Sequence, residues 1–360
     1  MRLLCTDHGY INLSGEDSEK RGLKFMADTP LLSVLMPVFN SELFVAEAIE
    51  SILDQTFADF EFLILDDAST DNSLEIINDF EKKDSRIKVF QNEKNLGVVE
   101  SRNKLINLSK GKYIAWIDSD DIAIENRFEE QIKFLETHPE IGMVGAWLIK
   151  CDKFGNKQLI WPMETDPEKL QTELFFHSPF STVVMIRRSA LPERLYDSRF
   201  PVAEDYDFYC RIAEKSDVAN LGIPLLKYRE NSQSLSHTTD VMEDRSILVI
   251  KEHAERIGIN LEETTIKDLR KPKISSKIAF EDIEKIEKSL ILLKDLLLKN
   301  DRFDKTSIDE VIQKYWFETC RKSTHNGLKI LSIFFKSALF CKKLSFRDNC
   351  RLFVRALIKF

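Results

Sequence analysis

Tyr113-Ile114-Ala115-Trp116-Ile117-Asp118-Ser119-Asp120-Asp121 is the stretch from which the rest of this 360-residue chain can be read. Five apolar residues make a strand, and three carboxylates crowd its end. Like charges in one site disfavour full ionisation, so such a cluster is tolerable where water or a cation relieves it. Hard oxygen ligands on a rigid strand end suit Mg²⁺ or Mn²⁺, which bind through one or two carboxylates and leave positions open for phosphate. An Asp-x-Asp triplet alone is weak evidence, because many are surface turns. The neighbouring sequence supplies the missing context.

Upstream, strand-like and helix-like patterns alternate. Leu32 to Met36 reads as a buried strand halted by Pro37, and Glu42 to Gln55 carries apolar residues at helical spacing. Phe60 to Leu65 is a second strand ending at Asp66-Asp67, after which Ser69 or Asp71 offers an N-cap for a helix through Phe80. Ile87 to Phe90, a helix over 98–108, and the strand Tyr113 to Ile117 complete the series. This rhythm predicts an α/β domain with a mostly parallel sheet and helices on both faces. In such sheets ligands bind beyond the carboxyl ends of the strands. Asn40, Asp66-Asp67 and Asp118-Ser119-Asp120-Asp121 all fall at that edge.

Three runs carry a family resemblance: Ser33-Val34-Leu35-Met36-Pro37-Val38-Phe39-Asn40, Ser51-Ile52-Leu53-Asp54-Gln55-Thr56 and Leu65-Asp66-Asp67-Ala68-Ser69-Thr70-Asp71. With Asn95-Leu96-Gly97, Ser101-Arg102-Asn103, Gly111-Lys112-Tyr113-Ile114 and the aspartate cluster, they resemble the family 2 glycosyltransferases. Glu204-Asp205-Tyr206-Asp207-Phe208 is similar to that family's Glu-Asp catalytic motif. The resemblance spans roughly 31–237. It implies a Rossmann-like GT-A fold, inverting transfer from a nucleotide-sugar donor, and Mn²⁺ or Mg²⁺.

The resemblance also assigns residues, and the chemistry asked of each can be stated. A diphosphate leaving group gains charge as the glycosidic bond breaks, so a cation or donors must sit where that charge develops. Asp120 is the expected metal ligand, Asp118 contacts ribose or metal, and Asp121 is a second candidate ligand. Asp67 resembles the base-reading aspartate, the bland alternative being that Asp66-Asp67-Ala68-Ser69 forms an Asx-type turn. Pro37 and Val38 are expected to offer backbone groups to base or ribose, beside Asn40. Arg102 contacts base or phosphate, or is an exposed helix arginine.

Inversion by direct displacement needs a base for the acceptor hydroxyl, a role that contributes roughly 10²–10⁴-fold. Asp205 is the expected base, Glu204 its support. Both fall in a helix's first turn, where an anion is stabilised and where acids are also common for structural reasons. Arg229, before the polar loop that ends at His237, is expected to offset phosphate charge. Phe176-His177-Ser178-Pro179-Phe180 is placed near the acceptor.

Hydrophobic content of 43% and charged content of 31% describe a globular chain with one large core and an appendage. Six cysteines are scattered without metal or redox spacing, which points to reduced thiols in a cytoplasm. Residues 1–30 read as a poorly ordered extension without a signal peptide's apolar segment. Residues 31–240 read as the glycosyltransferase domain and 241–360 as a helical C-terminal region. Its last fifty residues hold eleven Lys/Arg against two acids, a net +9 within a chain of −8. Lys322, Lys329, Lys336 and Lys343 recur every seven residues, although Gly327 makes one continuous helix doubtful. Arg347, Arg351, Arg355 and Lys359 recur every four, beside an apolar face. Basic amphipathic helices lie on anionic membranes, so 311–360 is expected to hold the enzyme peripherally at the inner face of the cytoplasmic membrane. Packing of the same faces on the acidic domain is the alternative. The Phe- and Leu-rich faces argue against nucleic acid.

The function expected is transfer of a sugar, with UDP favoured, to a saccharide or lipid-linked saccharide acceptor in polysaccharide biosynthesis. Two alternatives remain: a catalytically silent nucleotide-binding scaffold, and a sugar nucleotidyltransferase. The latter wants a Gly-rich phosphate loop where this chain has Pro37-Val38-Phe39-Asn40-Ser41.

Overall fold

A computed structural model describes residues 29–156, 158–230 and 239–340. The expectations for residues 1–28, the loop to His237 and the basic segment 341–360 lie outside the described residues.

Four parallel strands open the fold: β1 (Leu32–Val38), β2 (Phe60–Asp66), β3 (Ile87–Gln91) and β4 (Tyr113–Trp116). Between them run α1 (Val45–Leu53), α2 (Ser73–Glu81) and α3 (Val98–Leu108). β1 and β2 are buried on both faces, which explains their nearly continuous apolar runs, broken only by Ser33 and Glu61, which bond each other at 2.8 Å, before β2 ends at Asp66. β1 passes through Pro37 instead of stopping before it. Its ladder to β4 ends at Leu35↔Trp116, so the N–H that Pro37 lacks breaks no bond on that side. Gly111 lets the α3–β4 turn press onto β1, since a Cβ there would lie 2.5 Å from the Ser33 nitrogen.

Helix α2 starts later than expected. Asp71 ties two segments, accepting from the Ser73 and Glu42 amides at 3.0 Å each, while Ser69 Oγ accepts from the Asn40 amide.

The second half adds β5 (Ile122–Ala123), α4 (Arg127–Thr137), β6 (Ile141–Cys151), β7 (Leu159–Trp161), α5 (Pro167–Glu173), β8 (Met185–Arg187), α6 (Glu204–Ala213) and β9 (Asp217–Arg229). The sheet order is β3-β2-β1-β4-β8-β6-β9-β5, with β7 hydrogen-bonded to β6 as a flap. β8 runs antiparallel to both β4 and β6, so the sheet is mixed in this half. Val34, Met36 and Val38 feed the apolar layer under one face, and Leu35, Leu63 and Trp116 feed the other.

That second layer continues without a break into α7 (Thr239–Arg256), α8 (Glu263–Ile274), α9 (Phe280–Leu297), α10 (Lys305–Lys322) and α11 (Lys329–Lys336). Phe176, just past α5, stacks on Tyr315 of α10 at 3.6 Å. Val311, Ile312, Trp316, Ile330 and Phe334 are buried in the same layer. Within 311–340 these apolar side chains therefore pack inside the protein, while Leu328 and Phe335 stay exposed. The seven-residue lysine spacing crosses a break at Gly327, whose φ of 77° separates α10 from α11.

Candidate active site

The ends of β1 and β2 form one edge. Asp66 closes the turn, its carboxylate accepting from the Ser69 amide at 3.2 Å, and Ala68 takes a φ of 59°. Asp67 is 4% exposed and faces inward. Its Oδ1 accepts from Asn92 Nδ2 (2.7 Å) and the Leu96 amide (2.9 Å), its Oδ2 from the Gly97 amide (2.8 Å). Asn95-Leu96-Gly97 thus bends its amides onto a strand-end carboxylate, and Gly97 reaches this geometry with a φ of 87°. About four acceptor positions exist on a carboxylate, so one remains. Asn40, at φ 49°, accepts from the Thr70 amide at 2.8 Å. The Val38 carbonyl accepts from the Asp67 amide.

A cavity of about 690 Å³ opens beside this edge. Arg102, Asp118, Asp120, Glu204 and Asp205 line it, with His177 to Thr182 on another wall. Pro37, Val38, Asn40 and Asp67 stay at the strand edge outside the lining. Ser41 Oγ to Ser119 Oγ, at 2.6 Å, links that edge to the aspartate cluster. Burial, and then the Asp118 charge, push the Asp120 carboxyl up to about 6.

Two expected site residues point elsewhere. Asp121 is 1% exposed and turned under the sheet, accepting from the Arg229 amide at 3.1 Å and Thr182 Oγ1 at 3.4 Å. Burial raises its pKa well above the usual carboxylate value, with Asp118 and Asp120 adding to the rise. It anchors β9 and is not among the residues that line the cavity. Arg229 is likewise buried, ion-paired to Glu47 and placed over the Phe44 ring. Its guanidinium braces α1, and its charge also reaches Asp120, whose carboxyl it pulls down against the effect of burial.

Arg102 is buried, which removes the exposed-arginine alternative. Its Nη1 bonds Glu204 Oε1 at 2.9 Å and its Nη2 bonds Asp118 Oδ1 at 3.3 Å. The guanidinium lies 5.5 Å from the ring centroids of both Trp116 and Tyr196. Asn103 fixes Tyr196 by a reciprocal pair of bonds to its backbone, at 2.9 and 2.8 Å. This explains why Arg102 and Asn103 sit side by side on one helix. Burial pushes the Glu204 carboxyl up, to about 7, against the pull of Arg102. Asp205 is raised too, by burial first and Asp118 in addition, while Arg102 and the Tyr206 amide oppose the rise. A carboxylate raised in this way is a better proton acceptor near neutral pH.

The family model described as Glycosyl transferase family 2 matches residues 33–195. An uncharacterized glycosyltransferase of Methanocaldococcus jannaschii is 38% identical over 211 residues, covering 56% of this chain and 71% of its own. The chain belongs to glycosyl transferase family 2. This family 2 enzyme is also similar to the UDP-Glc:alpha-D-GlcNAc-diphosphoundecaprenol beta-1,3-glucosyltransferase of Escherichia coli. That relative is 32% identical over 211 residues, which cover 58% of this chain and 81% of its own. Among solved structures, S. aureus TarS 1-349 in complex with UDP-GlcNAc aligns with a TM-score of 0.53 at 20% identity. The alignment covers 80% of this chain and 90% of that one. The fold of this glycosyltransferase is therefore GT-A with a helical C-terminal region.

The donor set of this family 2 site suits a hard divalent cation. Asp118 and Asp120 present two carboxylates to one cavity, and the Asp118 charge raises the cost of charging Asp120. No group of three or more His, Cys, Asp or Glu among the described residues could hold a metal alone. Two carboxylates completed by ligand oxygens are what Mg²⁺ and Mn²⁺ accept. Sequence reasoning missed Tyr196, whose ring stands beside Arg102, and the cavity-lining cations Lys273 and Lys314, all brought in from distant segments that carry no local signal.

Proposed function

We propose that this glycosyltransferase moves a sugar from a nucleotide-diphosphate donor, UDP-linked, to a hydroxyl of a saccharide or lipid-linked saccharide, with inversion. One observation carries the reading. Asp205 and the Asp118/Asp120 pair wall the same cavity, and Arg102 bridges the two groups through Glu204 and Asp118.

Asp205 takes the acceptor proton as the acceptor oxygen attacks the anomeric carbon. The bond to the diphosphate breaks on the opposite face, and nucleoside diphosphate leaves. Arg102 holds α6 so that Asp205 faces the pocket, and its charge keeps Glu204 and Asp118 from repelling one another. Asp118 and Asp120 would hold Mn²⁺ or Mg²⁺, which supplies neutralising charge for the diphosphate. Asp67, Asn40, Pro37 and Val38 form the edge for the base, Asp67 reading it through its remaining acceptor position. The similarity to the E. coli glucosyltransferase supports UDP and a lipid-diphosphate acceptor. We take 31–240 as the catalytic domain, with α7, α8 and α10 walling its acceptor side. Release of nucleoside diphosphate on transfer tests the reading; release of pyrophosphate would replace it with nucleotidyl transfer.

A peripheral membrane contact has its own support. No described helix is long and apolar enough to cross a membrane. The β6–β7 hairpin nevertheless exposes Phe154 (74%), Leu159 (67%), Ile160 (54%) and Trp161 (41%). Lys150 lies 3.6 Å over the Trp161 ring, and Lys153 4.9 Å over Phe154. Aromatic and aliphatic tips flanked by cations suit an anionic lipid surface. Trp161 also lines the cavity, which supports a lipid-borne acceptor entering from that side.

A further inference from the structure

The cavity extends well past Asp205. A chain of contacts orders its walls. Asp118 bonds Arg102, Arg102 bonds Glu204, and Tyr206, two residues on, donates its hydroxyl to the Leu174 carbonyl at 2.6 Å. Beside Leu174 stand Glu173 and His177, and around them Arg270 and Lys273 of α8 and Lys314 of α10. If the donor diphosphate sits at Asp118 and Asp120, this end, beyond the base, belongs to the acceptor.

Its charges do not cancel. Arg270 is matched by Glu243 at 2.6 and 2.7 Å, and it also donates to the Phe176 carbonyl at 2.9 Å. Lys314 is paired with the buried Glu173. Lys273 makes no ion pair with any described residue. Glu164, on the opposite wall, turns its carboxylate onto the Thr165 and Asp166 amides at 3.0 and 3.1 Å. His177 Nδ1 is buried without a hydrogen-bond partner among the described residues. Burial, then Lys273 and Lys314, push His177 down to about 3, so it is a neutral imidazole, its Nε2 4.0 Å from Glu173 Oε2. Desolvation at the wall lowers Lys273 first, with Lys314, Lys322 and Arg270 adding to the effect and Glu173 opposing it. Cations gathered around one concave wall repel one another until an anion joins them.

We propose that Lys273, Lys314 and His177 form an oxyanion subsite that takes a phosphate or carboxylate carried by the acceptor, away from its reacting hydroxyl. The inference rests on the glycosyltransferase reading for which end is the acceptor's. Lys273 supplies the unpaired charge, Lys314 a second ammonium, and His177 a neutral ring nitrogen. An acceptor without an anion leaves Lys273 uncompensated and is bound less well.

The test uses the full chain, saturated with UDP and Mn²⁺, titrated with inorganic phosphate by calorimetry. Lys273 is exposed and unpaired, so Lys273→Ala is expected to fold, and Lys273→Arg keeps the charge. The wild type should bind phosphate alongside UDP. Lys273→Ala should weaken that binding about tenfold, the scale of one hydrogen bond to a charged group, with Lys273→Arg retaining it and the affinity for UDP unchanged. Equal phosphate binding by Lys273→Ala would overturn the subsite, as would competition between phosphate and UDP for one site. If UDP fails to bind, the donor reading falls, yet the same phosphate titration without UDP still judges the subsite. Farnesyl phosphate and glucuronate, used as separate probes, then tell a lipid phosphate from an acid on the saccharide.

Discussion

Arg102 Nη1 lies 2.9 Å from Glu204 Oε1, joining residues 102 positions apart. Through this contact α3 and α6 meet over the cavity, and the second arm of the guanidinium reaches Asp118. The geometry couples the strand-end cluster to the helix that begins with Asp205. Burial would lower the Arg102 pKa, but Glu204, Tyr196 and Asp118 hold it above the usual arginine value.

Removing that guanidinium leaves Glu204 and Asp118 facing each other. Breaking a buried ion pair by deleting one partner costs about 3–5 kcal/mol, and Arg102→Ala is expected to show a loss of that order in urea unfolding. Arg102→Lys should recover only part, because one ammonium cannot span both carboxylates as a planar fork does. Wild-type stability in Arg102→Ala would mean that the bridge does not hold α6.

Asp205→Asn keeps shape and hydrogen bonding to the Tyr206 amide while removing the proton acceptor. Transfer should fall by roughly 10²–10⁴-fold, with the affinity for UDP-sugar within about twofold of wild type. Loss of nucleotide binding would place Asp205 in the donor half.

Proton and cation should compete at Asp120. The folded-state pKa of Asp120, about 6, lies above its ordinary 3.8, so folding favours the protonated form. That stabilisation is complete below about pH 4 and is lost as pH rises through about 6; Glu204 adds a similar loss through about 7. Metal ligands must be deprotonated, so the rise in Tm caused by Mn²⁺ should be small near pH 5 and grow toward pH 7. Asp120→Asn should abolish the pH dependence of that rise. A Mn²⁺ effect equal at both pH values would contradict the assignment.

The hairpin makes a separate prediction. Phe154→Asp with Ile160→Asp should lower binding to phosphatidylserine-containing vesicles by at least about tenfold, since each buried apolar side chain is worth about 1.5–3 kcal/mol. UDP affinity in solution should not change. Full vesicle binding by the double variant would assign membrane contact to another segment.

Period and strand-end chemistry made the first half of the fold legible. Helix α3 occupies the residues its pattern indicated, and the carboxylates of Asp67, Asp118 and Asp120 fall at one edge because β1, β2 and β4 are parallel. The second half was less legible. β6 and β9 pair in parallel across about 76 residues, and β8 inserts antiparallel beside β4, neither of which leaves a local pattern. Side-chain direction was the other gap. Asp121 turns inward because the Arg229 amide and Thr182 meet it there, and the buried Arg229 side chain pairs with Glu47 of α1. Such choices are settled by partners distant in sequence.

The most direct test of the central claim is calorimetric titration of UDP-sugar with Mn²⁺ into the wild type, Asp120→Ala and Asp205→Asn. The site as described predicts binding by the wild type and by Asp205→Asn, and loss with Asp120→Ala or on chelating the cation. Binding that ignores both Asp120 and the cation, or that disappears with Asp205→Asn, would contradict it.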